Sequence, residues 1–192
     1  SDVPAYHPDV RTWEVLDADG RHRAVFLGDY FARLAKRSGA WMSVFRGQHG
    51  LTFDGGTGER PIVVNVTNFA RPDEGAPALL SFDDARTLFH ELGHALHGML
   101  SEVVHPSVAG TAVARDFVEL PSQLYEHWLT VPEVLEAHSR HVDTGESLPS
   151  DTLKALLAAD ADGVPPEAQR SAPKLASLLP LRRDAAAVAA NI

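Results

Sequence analysis

Phe89-His90-Glu91-Leu92-Gly93-His94-Ala95-Leu96-His97-Gly98-Met99 is the stretch on which the reading of this chain turns. His90, Glu91 and His94 spell His-Glu-x-x-His. In a helix, four residues amount to about 40° around the axis and roughly 6 Å along it, so both imidazoles leave one face and can converge on one metal ion. Glu91, one position on, is placed to act as a base on a water at that metal without being a ligand itself. This is the arrangement by which a zinc metallopeptidase works.

The pattern alone is only suggestive, because shuffling a chain with 10 His and 11 Glu would produce it in roughly three per cent of cases. Its surroundings make it specific. Ser81 followed by Asp84 reads as a capping box, Asp83 and Asp84 suit the positive end of a helix dipole, and Leu88, Leu92, Leu96 and Leu100 recur at helical spacing. The spacing predicts a helix from Ser81 to about Ser101. Gly93 opposes it by about 1 kcal/mol relative to Ala, which marks a place where something packs against the backbone.

Composition narrows the chemistry. With 192 residues the chain suits one domain, perhaps with an appendage. A net charge of −9, with scattered Lys and Arg, disfavours a nucleic-acid or anionic-membrane binder. The absence of cysteine excludes disulfides and thiolate zinc sites, leaving imidazole and carboxylate as metal ligands. No apolar run approaches the roughly 20 residues that span a bilayer, and Ser-Asp-Val-Pro does not open a signal peptide. The expectation is a soluble protein of a reducing compartment.

Working outward, Thr12 to Ala18 and Arg21 to Leu27 are β-prone runs joined by Asp19-Gly20, which predicts a hairpin with a type I′ turn. Gly28 to Phe31 reads as the exit from the second strand. Lys36 to Met42 is a compact basic and aromatic patch, read as a turn with a buried Trp41. Gly47 to Arg60 reads as a loop. Pro61 to Phe69 is the strongest strand signal. If it lies at a sheet edge, Asn65, Val66 and Asn68 are candidates to hold an extended peptide by main-chain hydrogen bonds; the other reading is an internal strand. Arg71 to Pro77 is a connector.

Catalytic zinc usually takes three protein ligands, so His90 and His94 need a partner. His97 shares their face but lies about 10 Å along the axis from His90, too far to close a tetrahedron; it is expected to be hydrogen-bonded in the packing around the site. Glu102 fails for the same reason, and a pattern with Gly and His seven and ten positions after His90 fails on His97 and Leu100. The ligand must come from another element. Arg115 to Trp128, with Phe117, Leu120, Leu124 and Trp128 at helical spacing, offers Asp116, Glu119 and Glu126. Glu119 sits near the middle of that predicted helix, with Asp116 and Ser122 three residues to either side as supports. Pro121 would kink the helix or fix its first turn.

Several motifs now fall in order: Gly39-Ala40-Trp41-Met42, Asn65-Val66-Thr67-Asn68, Phe89-His90-Glu91 with Gly93-His94-Ala95-Leu96-His97-Gly98, Gly110-Thr111, Arg115-Asp116-Phe117-Val118-Glu119 with Pro121-Ser122-Gln123, and Glu126-His127-Trp128. Together they resemble the thimet-oligopeptidase family of zinc peptidases, over roughly Tyr6 to Ala159. The resemblance implies zinc ligands at His90, His94 and Glu119, one Zn2+ per chain, and Glu91 as general base. It also implies a cytoplasmic enzyme cutting short peptides, and most closely the subgroup that removes dipeptides from C-termini. The fold expected is α+β: a zincin-like core fragment in which a small antiparallel sheet lies beside the zinc helix and the Glu119 helix.

Residues 1 to 160 are expected to be a partial catalytic domain. Ala161 to Ile192, rich in Ala, Pro, Leu and Arg, departs from the family. The tyrosines and histidine that stabilise the oxyanion in the family lie downstream of the third ligand, and no aromatic residue follows Trp128 here. Two classes of function follow. One is a working peptidase. The other is a non-catalytic remnant that holds zinc and needs the remainder of the catalytic domain as a partner.

Overall fold

The computed structural model describes residues 5–52, 58–141 and 143–161. Strands β1 (Arg11–Leu16), β2 (His22–Phe31), β3 (Trp41–Arg46) and β4 (Ile62–Phe69) form one sheet in the order β1-β2-β4-β3. Helix α1 (Phe82–Met99) packs on one face of it. A 3₁₀ turn at Pro106–Val108 then leads to α2 (Leu120–Trp128), α3 (Pro132–His138) and α4 (Ser150–Ala161). The expected Ala161–Ile192 tail falls, past its first residue, outside the described residues. Among the described residues no helix is long and apolar enough to cross a membrane.

The sheet is mixed, which corrects the antiparallel expectation. β1 and β2 pair antiparallel, as do β3 and β4, but β2 and β4 run parallel, with Leu27 opposite Val64 and Gly28 opposite Asn65. Burial along β4 agrees: Val63 to Thr67 are all buried, polar residues included, as in a strand covered on both faces. β4 is therefore internal, paired with β2 and, as far as Val66, with β3, so Asn65 and Val66 have no free main chain to offer a peptide, and Asn68 lies past the end of the β3 pairing. Asn68 instead donates its side-chain amide to the carbonyls of Arg37 (2.7 Å) and Gly39 (2.8 Å), pinning the turn into β3. Trp41 opens β3 and is half-buried, where a turn was expected. Among the described residues the free edges belong to β1 and β3.

Two smaller expectations shift. The β1–β2 connection runs from Asp17 to Arg21, closed by Asp17 N donating to Arg21 O, with Gly20 at φ +77° and its N–H donating to Asp17 O. A left-handed glycine after a turn serves the same closure as the predicted two-residue turn. Gly28 to Phe31 continues β2 to its end. There Asp29, 1% exposed, accepts from both guanidinium nitrogens of Arg33 (2.6 Å each), from Lys36 Nζ (3.0 Å) and from Tyr6 OH (2.9 Å). Lys36 also donates to the carbonyls of Asp29 and Phe31. The basic patch thus serves as the clamp that ties the N-terminal segment and the β2–β3 connection to the sheet.

Burial by itself raises the Asp29 carboxyl, but the hydrogen bonds from Arg33, Lys36 and Tyr6 outweigh it and hold the group down to about 2. A depressed carboxyl contributes stability that is complete above the ordinary value of about 4 and lost as the pH falls to about 2. Asp29→Asn removes that limb and takes the paired anion from the buried Lys36 ammonium and the partly exposed Arg33 guanidinium. We expect urea denaturation to find it about 3–5 kcal/mol less stable at neutral pH, with a smaller further loss than the wild type on acidification.

Candidate metal centre

The capping box at Ser81 and Asp84 starts α1: the Ser81 hydroxyl accepts from Asp84 N and the Asp84 carboxylate from Ser81 N, both at 3.0 Å. From that start Leu88, Ala95 and Met99 point into the sheet, which turns His90 and His94 toward α2. Their rings stand 4.9 Å apart and nearly perpendicular.

Glu119 comes to them from the end of the preceding turn. It is the N-cap residue of α2, not a mid-helix position, because Pro121 fixes the first helical turn immediately after it. Its Oε2 lies 3.3 Å from His90 Nε2 and 3.1 Å from His94 Nε2. One ligand atom from each of His90, His94 and Glu119 falls within a 4.8 Å cluster. Gly93 makes this possible. A Cβ there would stand 2.6 Å from Pro121 O and from Ser122 Cα, so the first turn of α2 lies directly on the α1 backbone. A second close approach occurs at Gly110 (φ +52°), where a Cβ would be 3.0 Å from Gly98 Cα as the chain crosses α1 on its way to α2.

The surroundings prepare the three groups. Ser122, fully buried, donates its hydroxyl to Glu119 Oε2 (2.9 Å) and also meets Glu119 O (2.8 Å). Burial opposes ionisation of Glu119, but Ser122 and the two imidazoles hold it below its usual range. Burial lowers His94 against the pull of Glu119, which favours the neutral, ligating imidazole. His90 Nδ1 lies 2.6 Å from Glu126 Oε1. A carboxylate there accepts a hydrogen bond from Nδ1–H, which holds the proton on Nδ1 and leaves the Nε2 lone pair facing the cluster.

Glu126 was weighed in the sequence only as a ligand; the structure makes it the carboxylate that orients a ligand. The signal was its spacing, since seven residues from Glu119 bring it back to within about 20° on α2. Asp116 is exposed and makes no hydrogen bond to the cluster, because Arg115 to Glu119 precede the helix. His97 does not hydrogen-bond as expected: its buried Nδ1 has no partner, and its ring meets Phe117 edge-on at 6.2 Å. Glu91 is buried (6% exposed) with Oε2 unpartnered. Burial pushes its carboxyl up, the nearby His90 pulls it down, and Glu119 adds to the rise.

Residues 1–166 match peptidase family M3. The chain is similar to the dipeptidyl carboxypeptidase of Salmonella typhimurium, with 50% identity over 155 residues covering 81% of this chain and 22% of that protein. The Escherichia coli dipeptidyl carboxypeptidase is 46% identical over the same shares. Oligopeptidase A of Salmonella typhimurium is 44% identical over 160 residues, covering 83% of this chain and 23% of that protein. The chain thus spans less than a quarter of the length of these curated relatives.

Gly93→Ala tests the packing on which the cluster rests. Alanine is the better helix former by about 1 kcal/mol, yet its methyl displaces Pro121 and Ser122 and draws Glu119 away from the imidazoles. The expected result is a protein of lower melting temperature whose zinc affinity, by competition with a chromogenic chelator, falls by about tenfold or more.

Proposed function

The chain belongs to peptidase family M3, and on that footing we propose that it is the metal-binding core of a zinc-dependent peptidase acting on short peptides and releasing C-terminal dipeptides. The observation that carries this reading is the convergence of His90, His94 and Glu119 on one point, with Glu91 buried and unpartnered beside it. Two imidazoles and a carboxylate with no thiolate suit a catalytic zinc that keeps one position open. The buried, partnerless Glu91 Oε2 and the neutral bias of His94 fit such an ion. The pairing of β3, β4 and α1 is read as a zincin-like core, and the cytoplasm as its compartment.

Zinc at this site would supply a Lewis acid for the scissile carbonyl and make a nearby water acidic. The chain's own residues do the rest. Glu91 accepts the proton of the attacking water as its oxygen bonds to the carbonyl carbon, then returns that proton to the leaving nitrogen as the C–N bond breaks. Its raised basicity, caused by burial, suits that exchange. Glu126 fixes His90, and Ser122 fixes Glu119. The peptide is proposed to lie along the free edge of β3. That strand passes under the flank of α1 bearing Gly98, where a Cβ would be 3.5 Å from Met42 Cε and 3.8 Å from Val44 Cγ2; Glu91 stands on the same flank.

One observation favours a second reading, in which the chain holds zinc but is inactive alone. Leu120 (52%), Leu124 (58%) and Trp128 (52%) leave an apolar stripe exposed along α2, with Phe117 (46%) exposed in the turn before it, a surface that calls for cover. The remainder of the catalytic domain is the proposed partner. Release of dipeptides from a blocked peptide, followed by mass spectrometry, separates the readings. For the first, Glu91→Gln should retain zinc and lose at least about a hundredfold in rate; an unchanged rate would sink the mechanism. For the second, the wild type should cut only when the remaining part of the Escherichia coli relative is added.

A further inference from the structure

Asn65 is a carboxamide in the middle of an internal strand, 1% exposed, and neither its Oδ1 nor its Nδ2 has a hydrogen-bond partner. Its neighbours in β4 show where it points. Val64 and Val66 pack with Val10 and Leu27 on the face away from α1, whereas Val63 packs with Ala95 and Met99 of α1. Farther along the strand, Phe69 packs with Leu88. By strand alternation Asn65 therefore faces α1.

Its level along the helix follows from the same contacts. Asn65 is about 7 Å along β4 from Val63 and about 13 Å from Phe69, while Ala95 and Leu88 stand about 10 Å apart on α1. Interpolation sets Asn65 opposite the turn that holds Glu91 and Leu92. The flank agrees. Seven residues bring Glu91 to within about 20° of Gly98 around the axis, and Gly98 faces Val63 of β4 and Met42 of β3. Met42 is the cross-strand partner of Asn65. The one carboxylate on this flank that is buried with an unpartnered oxygen is Glu91.

We propose that Asn65 is a positioning residue for Glu91: the two unpaired side chains do not bond directly, and a buried water held between the Asn65 N–H and the Glu91 carboxylate fixes the orientation in which that carboxylate acts. Buried polar groups are retained with partners, and an unpaired amide where leucine would fit is a cost that a merely structural strand does not require. Asn65 acts through Glu91 and touches no reacting atom. This inference rests on the peptidase reading for its consequence, but not for its geometry.

Two measurements test it. Asn65→Leu, checked for fold by circular dichroism and for one zinc per chain, should lose about a hundredfold in kcat with KM unchanged; an unchanged kcat in a folded, zinc-bearing variant overturns the proposal. The second needs no activity. In protein labelled with 15N-asparagine, the Asn65 side-chain NH2 pair, assigned through its own backbone, should shift in Glu91→Gln and stay in place in the exposed control Glu102→Gln. A pair that stays in place in Glu91→Gln overturns the proposal even if the chain cuts peptides. A pair that moves in a chain that cuts nothing supports it while the peptidase reading fails.

Discussion

Everything in the candidate centre depends on the missing side chain at Gly93. Two imidazoles on one helix are two thirds of a tripod, and the third foot must come from a separate element held within a few ångströms. Direct contact between the first turn of α2 and the α1 backbone sets that distance, and a single methyl group at Gly93 would occupy the space. The helix gives up about 1 kcal/mol of propensity there, and the gain is a ligand set drawn from two elements. Gly98 and Gly110 repeat the device one crossing later, where the chain returns across α1 toward Glu119.

The sheet contributes by anchoring the other side of α1. Val63, Ala95 and Met99 lock the C-terminal half of the helix to β4, and Leu88, Phe69, Tyr30 and Leu80 lock the N-terminal half. Between those clusters the interface becomes polar, at Asn65 on the strand and Glu91 on the helix. The helix is therefore fixed by apolar contact at both ends and carries its chemistry in the middle. The Asp29 clamp lies at the far end of β2, and its bonds to Tyr6, Arg33 and Lys36 serve the scaffold.

Much of this was legible in the sequence because it is local. The capping box, the α1 leucines, the β4 run and the meaning of Gly93 are each decided by residues a few positions apart. The boundaries of α2 were misjudged because apolar spacing continues through Phe117, while Pro121 and the capping geometry start the helix at Leu120. The parallel pairing of β2 with β4 was hidden because it depends on the path of the chain between them, which no local pattern encodes. The ligand at Glu119 followed from family resemblance; spacing singled it out as a candidate without deciding it. Glu126 was named only as a candidate ligand, since the His90 it meets lies 36 positions away.

On this reading the chain by itself assembles a three-residue metal site from α1 and the start of α2. Native mass spectrometry of the purified protein beside Glu119→Ala tests it most directly. One zinc per chain is expected in the wild type, lost or markedly weakened in the variant. No zinc in the wild type, or zinc held equally by both proteins, would contradict it.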